Sequence, residues 1–245
     1  MTEPPVLIER NAAVVTIRLN SVANRNALSE TLVRGLIDAL GDAGADHDVK
    51  AVVLTHEGPA FCAGADLVEA RDHGMGAGTE RILSLLATIV HLPIPVIVQL
   101  NGATRAGGLG VVAACDIAIA GAQSSFAFTE ARLALAPAVI ALTVLPRISS
   151  RGASRYMLTG ETFGAQAAAE IGLVTAATEN PDEHVAAICD AITGCPRQGL
   201  EQTKALVSAE LARRVDEDGD AAAALSAELF GSAEARELIS ALLRR

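Results

Sequence analysis

The stretch TRAGGLGVVAACD, Thr104 to Asp116, puts Gly107, Gly108 and Gly110 within four positions, follows them with small apolar residues and ends on an acid. A glycine inside a helix costs roughly 1 kcal/mol against alanine, so three of them imply a gain elsewhere. Glycine has no Cβ and lets backbone approach a neighbour or a ligand closely. The stretch follows the apolar run PVIVQL and precedes DIAIAG and SFAF, which read as short strands. Strand, helix and strand in alternation, with the strands apolar on both faces, predict an α/β sheet.

The same rhythm extends towards the N-terminus. VLIER and AVVTIRL read as a hairpin turning at Asn11. SETLVRGLIDALGDAGA has a helical period, with Ser29 as N-cap and Leu32, Leu36, Ile37 and Leu40 as its apolar stripe. KAVVLTHEG is a buried strand, and TERILSLLATIVH is a helix beyond a glycine-rich loop. From Ile140 onward the pattern is almost wholly helical. This predicts a core over residues 1–190 and a helical C-terminal region over 191–245, whose amphipathic helices cover the chain's own core or a neighbouring subunit.

Composition narrows the function. Of 245 residues, 51% are hydrophobic but only 2% aromatic, so the core is built from Ala, Val, Leu and Ile. The net charge of −10 argues against binding a nucleic-acid backbone. The four cysteines, Cys62, Cys115, Cys189 and Cys195, form no CxxC pair and stand at no metal-ligand spacing with a histidine, so no metal is expected. Free buried thiols in a reduced, cytoplasmic protein are the simple reading. No apolar run is long enough to span a bilayer, and the N-terminus does not have the pattern of a signal peptide.

Two motifs bear on chemistry. GGLGVVA imitates a dinucleotide fingerprint, since Gly108, Gly110 and Ala113 match G-x-G-x-x-A and Glu130 follows about twenty residues on. Its context disagrees, because six residues, NGATRA, separate the strand from Gly107. A second reading pairs this stretch with PAFCAGADLVE. Each puts small residues at a strand-to-helix junction, where backbone N–H groups are unpaired and the helix dipole is positive. Two such N–H groups converging would form an oxyanion hole; the alternative is a pair of tight packing turns. Of the histidines, His73 in the glycine-rich loop either lines a pocket or lies on the surface. Cys62 and Cys115 read as small core residues, and Asp116 as structural.

The pieces NRNALS (24–29), FCAGADL (61–67), NGATRAGGLGVVAACDIAIA (101–120), FAFTEARLALAP (126–137), LTGETFGAQAAAEIGLV (158–174) and EARELISALL (234–243) together resemble the enoyl-CoA hydratase/isomerase (crotonase) superfamily. The resemblance covers nearly the whole chain. It implies a ββα spiral core with a helical C-terminal trimerisation region, and a homotrimer or hexamer. It implies an acyl-CoA substrate, with CoA as part of that substrate and no other cofactor. It assigns the peptide N–H groups of Ala65 and Gly107 to the thioester oxygen. It also assigns Arg25, Ala27, Ala63, Asp66 and Leu67 to CoA, with Gly108 and Gly110 in the same glycine segment. For Asp66, charge compensation at a helix N-terminus is an equal alternative.

Typical hydratases of this family carry two glutamates. The second aligns with Glu130, which Phe126, Phe128 and Leu133 would desolvate; the alternative is a surface glutamate paired with Arg132. The first aligns with Gly110 and is absent. Three outcomes follow: Glu130 adds water alone, the chain runs another reaction such as isomerisation or thioester hydrolysis, or it binds acyl-CoA without catalysis. GGLGVVAACDIAIA and EARLALAPAVI also resemble the branch that hydrates 3-methylglutaconyl-CoA and related branched, carboxylated enoyl-CoAs, a likeness that ends at ALTVLP (141–146). Arg105 stands just before the oxyanion glycine. It would pair with a carboxylate on the acyl chain, or else is a surface arginine or a phosphate contact.

Overall fold

A computed structural model describes residues 3–73 and 76–244. The side chain of His73 lies outside the described residues. Two sheets form from strands β1 (Val6–Asn11), β2 (Val14–Leu19), β3 (Ala51–His56), β4 (Ala60–Cys62), β5 (Val96–Leu100), β6 (Ala103–Arg105), β7 (Ile117–Gly121), β8 (Ser125–Ala127), β9 (Phe163–Gly164) and β10 (Ala176–Thr178). One sheet is six-stranded, in the order β1-β2-β3-β5-β7-β10, and the other four-stranded, in the order β4-β6-β8-β9. The β1–β2 pair is the expected hairpin, with Asn11 opposite Val14 and Ala12 at positive φ in the turn. Strands β2, β3, β5, β7 and β10 run parallel. Strand β3 is buried over its first five residues, as expected for a parallel strand covered on both faces.

The helices are α1 (Glu30–Ala45), α2 (Leu67–His73), α3 (Gly76–His91), α4 (Gly107–Ala114), α5 (Ala138–Val144), α6 (Ser150–Thr159), α7 (Ala165–Ile171), α8 (Pro181–Thr193), α9 (Arg197–Val207), α10 (Ala209–Phe230) and α11 (Ala233–Leu243). Ser29 caps α1, its hydroxyl accepting from the Leu32 N–H at 3.4 Å. Leu32, Leu36 and Leu40 of the stripe are fully buried.

The chain repeats one unit. A strand of the large sheet is followed by a three-residue strand of the small one, as in β3–β4, β5–β6 and β7–β8. Helices α2 and α4 leave directly beyond β4 and β6. This repeat is the ββα spiral that the resemblance implies, and it refines the sequence reading in two places. NGATRA is not a plain loop, because Ala103–Arg105 forms β6. The region beyond Ile140 is not wholly helical, because β9 closes the small sheet and β10 the large one. Strands of two or three residues are too short to announce themselves by alternation, so only pairing with a neighbour defines them.

Helix α10 packs on α3 and α5 of the same chain, and α11 on α2. The C-terminal helices therefore cover their own core. Lys204 of α9 fastens them: its buried ammonium contacts Asp116 Oδ2 at 2.9 Å and donates to the carbonyls of Ile89 and Ile94. Asp116 also accepts from the Val96 N–H and the Ser208 hydroxyl. Its role is structural, as expected. Cys62, Cys115 and Cys189 are buried free thiols, but Cys195 is exposed, against the expectation that all four are covered. No helix of the described residues is long and apolar enough to cross a membrane.

Candidate active site

Register in the small sheet assembles the site. Strands β4 and β6 run parallel with Cys62 opposite Thr104, and Thr104 is in turn opposite Phe126 of β8. Ala65 and Gly107 each stand three residues beyond the paired Cys62 and Thr104, so the first turns of α2 and α4 start side by side. A Cβ on Gly107 would stand 3.8 Å from Ala65 N, and one on Gly64 3.7 Å from Gly107 N. The two turns therefore lie against one another, with both amide nitrogens close to the contact.

Two unusual backbone conformations shape these turns. Gly64 has φ 97°, a conformation that suits glycine. Ala106, the N-cap of α4, adopts φ 44° and ψ −118°, where a side chain costs about 1–3 kcal/mol. Nothing in the sequence marks Ala106. The strain rotates the 106–107 peptide and sets the direction of the Gly107 N–H.

These turns open into a cavity of about 570 Å³, whose wall includes Ala63, Ala65, Leu67, Arg105, Gly107 and Glu130. Thus six of the predicted residues converge. Arg25, Ala27, Asp66, Gly108 and Gly110 do not line it. Asp66 caps α2, its Oδ1 accepting from the N–H groups of Val68 and Glu69 and its Oδ2 from Asn24 Nδ2. Gly108 and Gly110 belong to packing. A Cβ on Gly108 would meet Cys62 Cβ at 2.7 Å, and one on Gly110 would meet Ile140 Cγ2 at 2.5 Å. Both glycines lie inside α4 against neighbouring side chains, so the segment is no dinucleotide turn. The far wall, with Ile140 of α5 and Phe230 and Leu242 of α10 and α11, was not found from sequence. Its apolar side chains look like any amphipathic face until the helices are docked.

Glu130 follows β8 in a 3-10 turn over Glu130–Leu133. Its Oε2 is buried and meets no hydrogen-bond partner. Burial lifts its pKa from 4.5 to about 7, against a smaller downward pull from the backbone N–H groups of Glu130 and Thr129. Arg132 does not neutralise it, but donates from Nε to the carbonyl of Thr159 at 3.2 Å. Glu130 is the one acid on the cavity wall among the described residues. A carboxyl of this kind takes and returns protons near neutral pH. Cys62, beside Gly64, is pushed up to about 12 by burial and is no thiolate nucleophile. Among the described residues, no group of three or more His, Cys, Asp and Glu is placed to hold a metal ion.

The family model for enoyl-CoA hydratase/isomerase matches residues 9–243. The chain belongs to that family. A crystal structure of an enoyl-CoA hydratase from Mycobacterium avium is 44% identical, with a TM-score of 0.93 over 99% of this chain and 97% of that one. One from Mycobacterium smegmatis is 31% identical, with a TM-score of 0.80 over 99% of this chain and 97% of that one. Mouse mitochondrial methylglutaconyl-CoA hydratase is 32% identical over 186 residues, 74% of this chain. The match spans 59% of the mouse protein's length, less than two thirds.

Proposed function

We propose that this family member adds water across the 2,3 double bond of an enoyl-CoA thioester, with Glu130 as its general acid and base. The observation that carries the reading is the desolvated Glu130 carboxyl, its Oε2 without a hydrogen-bond partner, on the wall of the cavity that Ala65 and Gly107 also line.

The steps follow from those groups. The two N–H groups hold the thioester oxygen. Ionised Glu130 takes a proton from water, whose oxygen bonds to C3 while the C2–C3 π pair moves towards the thioester. The enolate oxygen that forms is stabilised where its charge develops; losing one such donor typically costs two to three orders of magnitude in rate. Glu130 then returns the proton to C2, so that H and OH are added and nothing else is consumed. Gly110 holds the place of the first family glutamate in this reading, which leaves both proton transfers to one group. CoA enters and leaves as part of the substrate. The assembly is a homotrimer or hexamer, as the family resemblance implies.

Hydration of crotonyl-CoA by the wild type and by Glu130→Gln tests this. Turnover should be present in the first and lost by two to four orders of magnitude in the second. A single carboxylate also suffices to move a proton between C2 and C4, so shift of a 3-enoyl to a 2-enoyl thioester is the second reading. Turnover of 3-hexenoyl-CoA without hydration would favour it. Tight thioester binding without any turnover would leave a non-catalytic acyl-CoA binder.

A further inference from the structure

The cavity holds a cation that the mechanism does not use. Arg105 ends β6, two residues before Gly107, and its half-buried side chain lines the cavity. Its guanidinium is held by neutral acceptors alone. Nη1 donates to the Thr104 carbonyl at 2.9 Å and to the Ser125 carbonyl at 2.6 Å, and Nη2 donates to Ser125 Oγ at 3.1 Å. Nε has no such bond among the described residues. Burial lowers the pKa of Arg105, and no acid opposes that effect. The other charged groups on the wall are Glu130 and Arg132. Glu130 draws no stabilisation from either guanidinium, and Arg132 faces Thr159.

We propose that Arg105 seats a carboxylate carried by the acyl chain, so that the preferred substrates are enoyl thioesters with a negative charge beyond the reacting double bond. This rests on the reading of the cavity as an acyl-CoA site. A guanidinium remains charged in proteins, and partial burial without an anion is costly, so a ligand that brings the anion recovers that cost. Ser125 occupies the Nη1–Nη2 side and leaves the Nε–Nη2 edge to form a bidentate pair with a planar carboxylate. The position selects the source. Arg105 is two residues from the amide that holds the thioester oxygen, whereas the whole pantetheine arm separates the CoA phosphates from that oxygen. Ser125 is a positioning residue, acting through the guanidinium it orients.

The test is a matched pair of substrates, 2-pentenoyl-CoA and glutaconyl-CoA, which differ in a terminal methyl against a terminal carboxylate. The ratio of their kcat/KM values, charged over uncharged, should fall about 10- to 100-fold in Arg105→Gln. It should fall less in Arg105→Lys, which keeps the charge without the fork, and in Ser125→Ala. Dissociation constants for the saturated analogues glutaryl-CoA and valeryl-CoA, measured on the same proteins, give the same ratio without turnover. An unchanged ratio overturns the proposal. A variant that weakens CoA itself and both thioesters equally places a phosphate at Arg105 and also overturns it. If the wild type turns over neither thioester but the binding ratio shifts as stated, hydration fails and the carboxylate seat stands. If it binds no thioester, both fall.

Discussion

Replacing Glu130 by glutamine should stabilise the protein at alkaline pH while removing its activity. The folded state holds the Glu130 proton up to about pH 7, while the unfolded chain releases it near 4.5. Between those values the native state binds more protons than the unfolded state, so stability falls as pH rises. The penalty is absent below about 4.5 and complete above about 7. At 1.36 kcal/mol per pKa unit the full penalty is about 3 kcal/mol, an upper figure because the side chain is not wholly shielded from solvent. Glutamine fills the same volume and never ionises, so the variant escapes it. Urea unfolding of both proteins at pH 5 and pH 8, at one protomer concentration, isolates the effect, since every other titrating group cancels in the difference. The stability of Glu130→Gln relative to wild type should increase by about 2–3 kcal/mol between those pH values. The same ionisation should give the wild-type kcat/KM for hydration a rising limb centred near pH 7. A stability difference independent of pH would refute the buried-carboxyl argument, and with it the basis for Glu130 as the proton carrier.

Other perturbations have equally definite outcomes. Gly110→Ala should lower the thermal midpoint, because its Cβ would stand 2.5 Å from Ile140 Cγ2; a net loss of about 1–2 kcal/mol remains after the helix-propensity gain, and an unchanged midpoint contradicts the packing. Lys204→Met should cost about 3–5 kcal/mol, because it leaves Asp116 buried without its cation, and urea unfolding should show it. Sedimentation equilibrium should give three or six times the 25.1 kDa chain mass; a monomer would refute the expected assembly.

Most of the longer elements and the family were legible in the sequence. Alternation and apolar runs located the hairpin and the long parallel strands, the Ser29 cap fixed the start of α1, and the ordered motifs named the likeness. The family resemblance assigned Ala65, Gly107 and Glu130, while the residues themselves showed only small side chains at two strand-to-helix junctions and an acid beyond a short strand. The meeting of Ala65 with Gly107 required tertiary structure. It depends on β4 pairing with β6, and strands of three residues carry no periodicity of their own. The strain at Ala106 was equally invisible, since an alanine in sequence gives no sign of positive φ. Gly110 shows the difference most clearly. In the sequence it is a missing side chain beside a reactive centre. In the fold its open side is filled by Ile140 of α5, a contact made by two helices that meet only in the packed core. Local patterns report backbone preference and amphipathicity. Which side chain occupies a given space is set by the docking of elements distant in the chain.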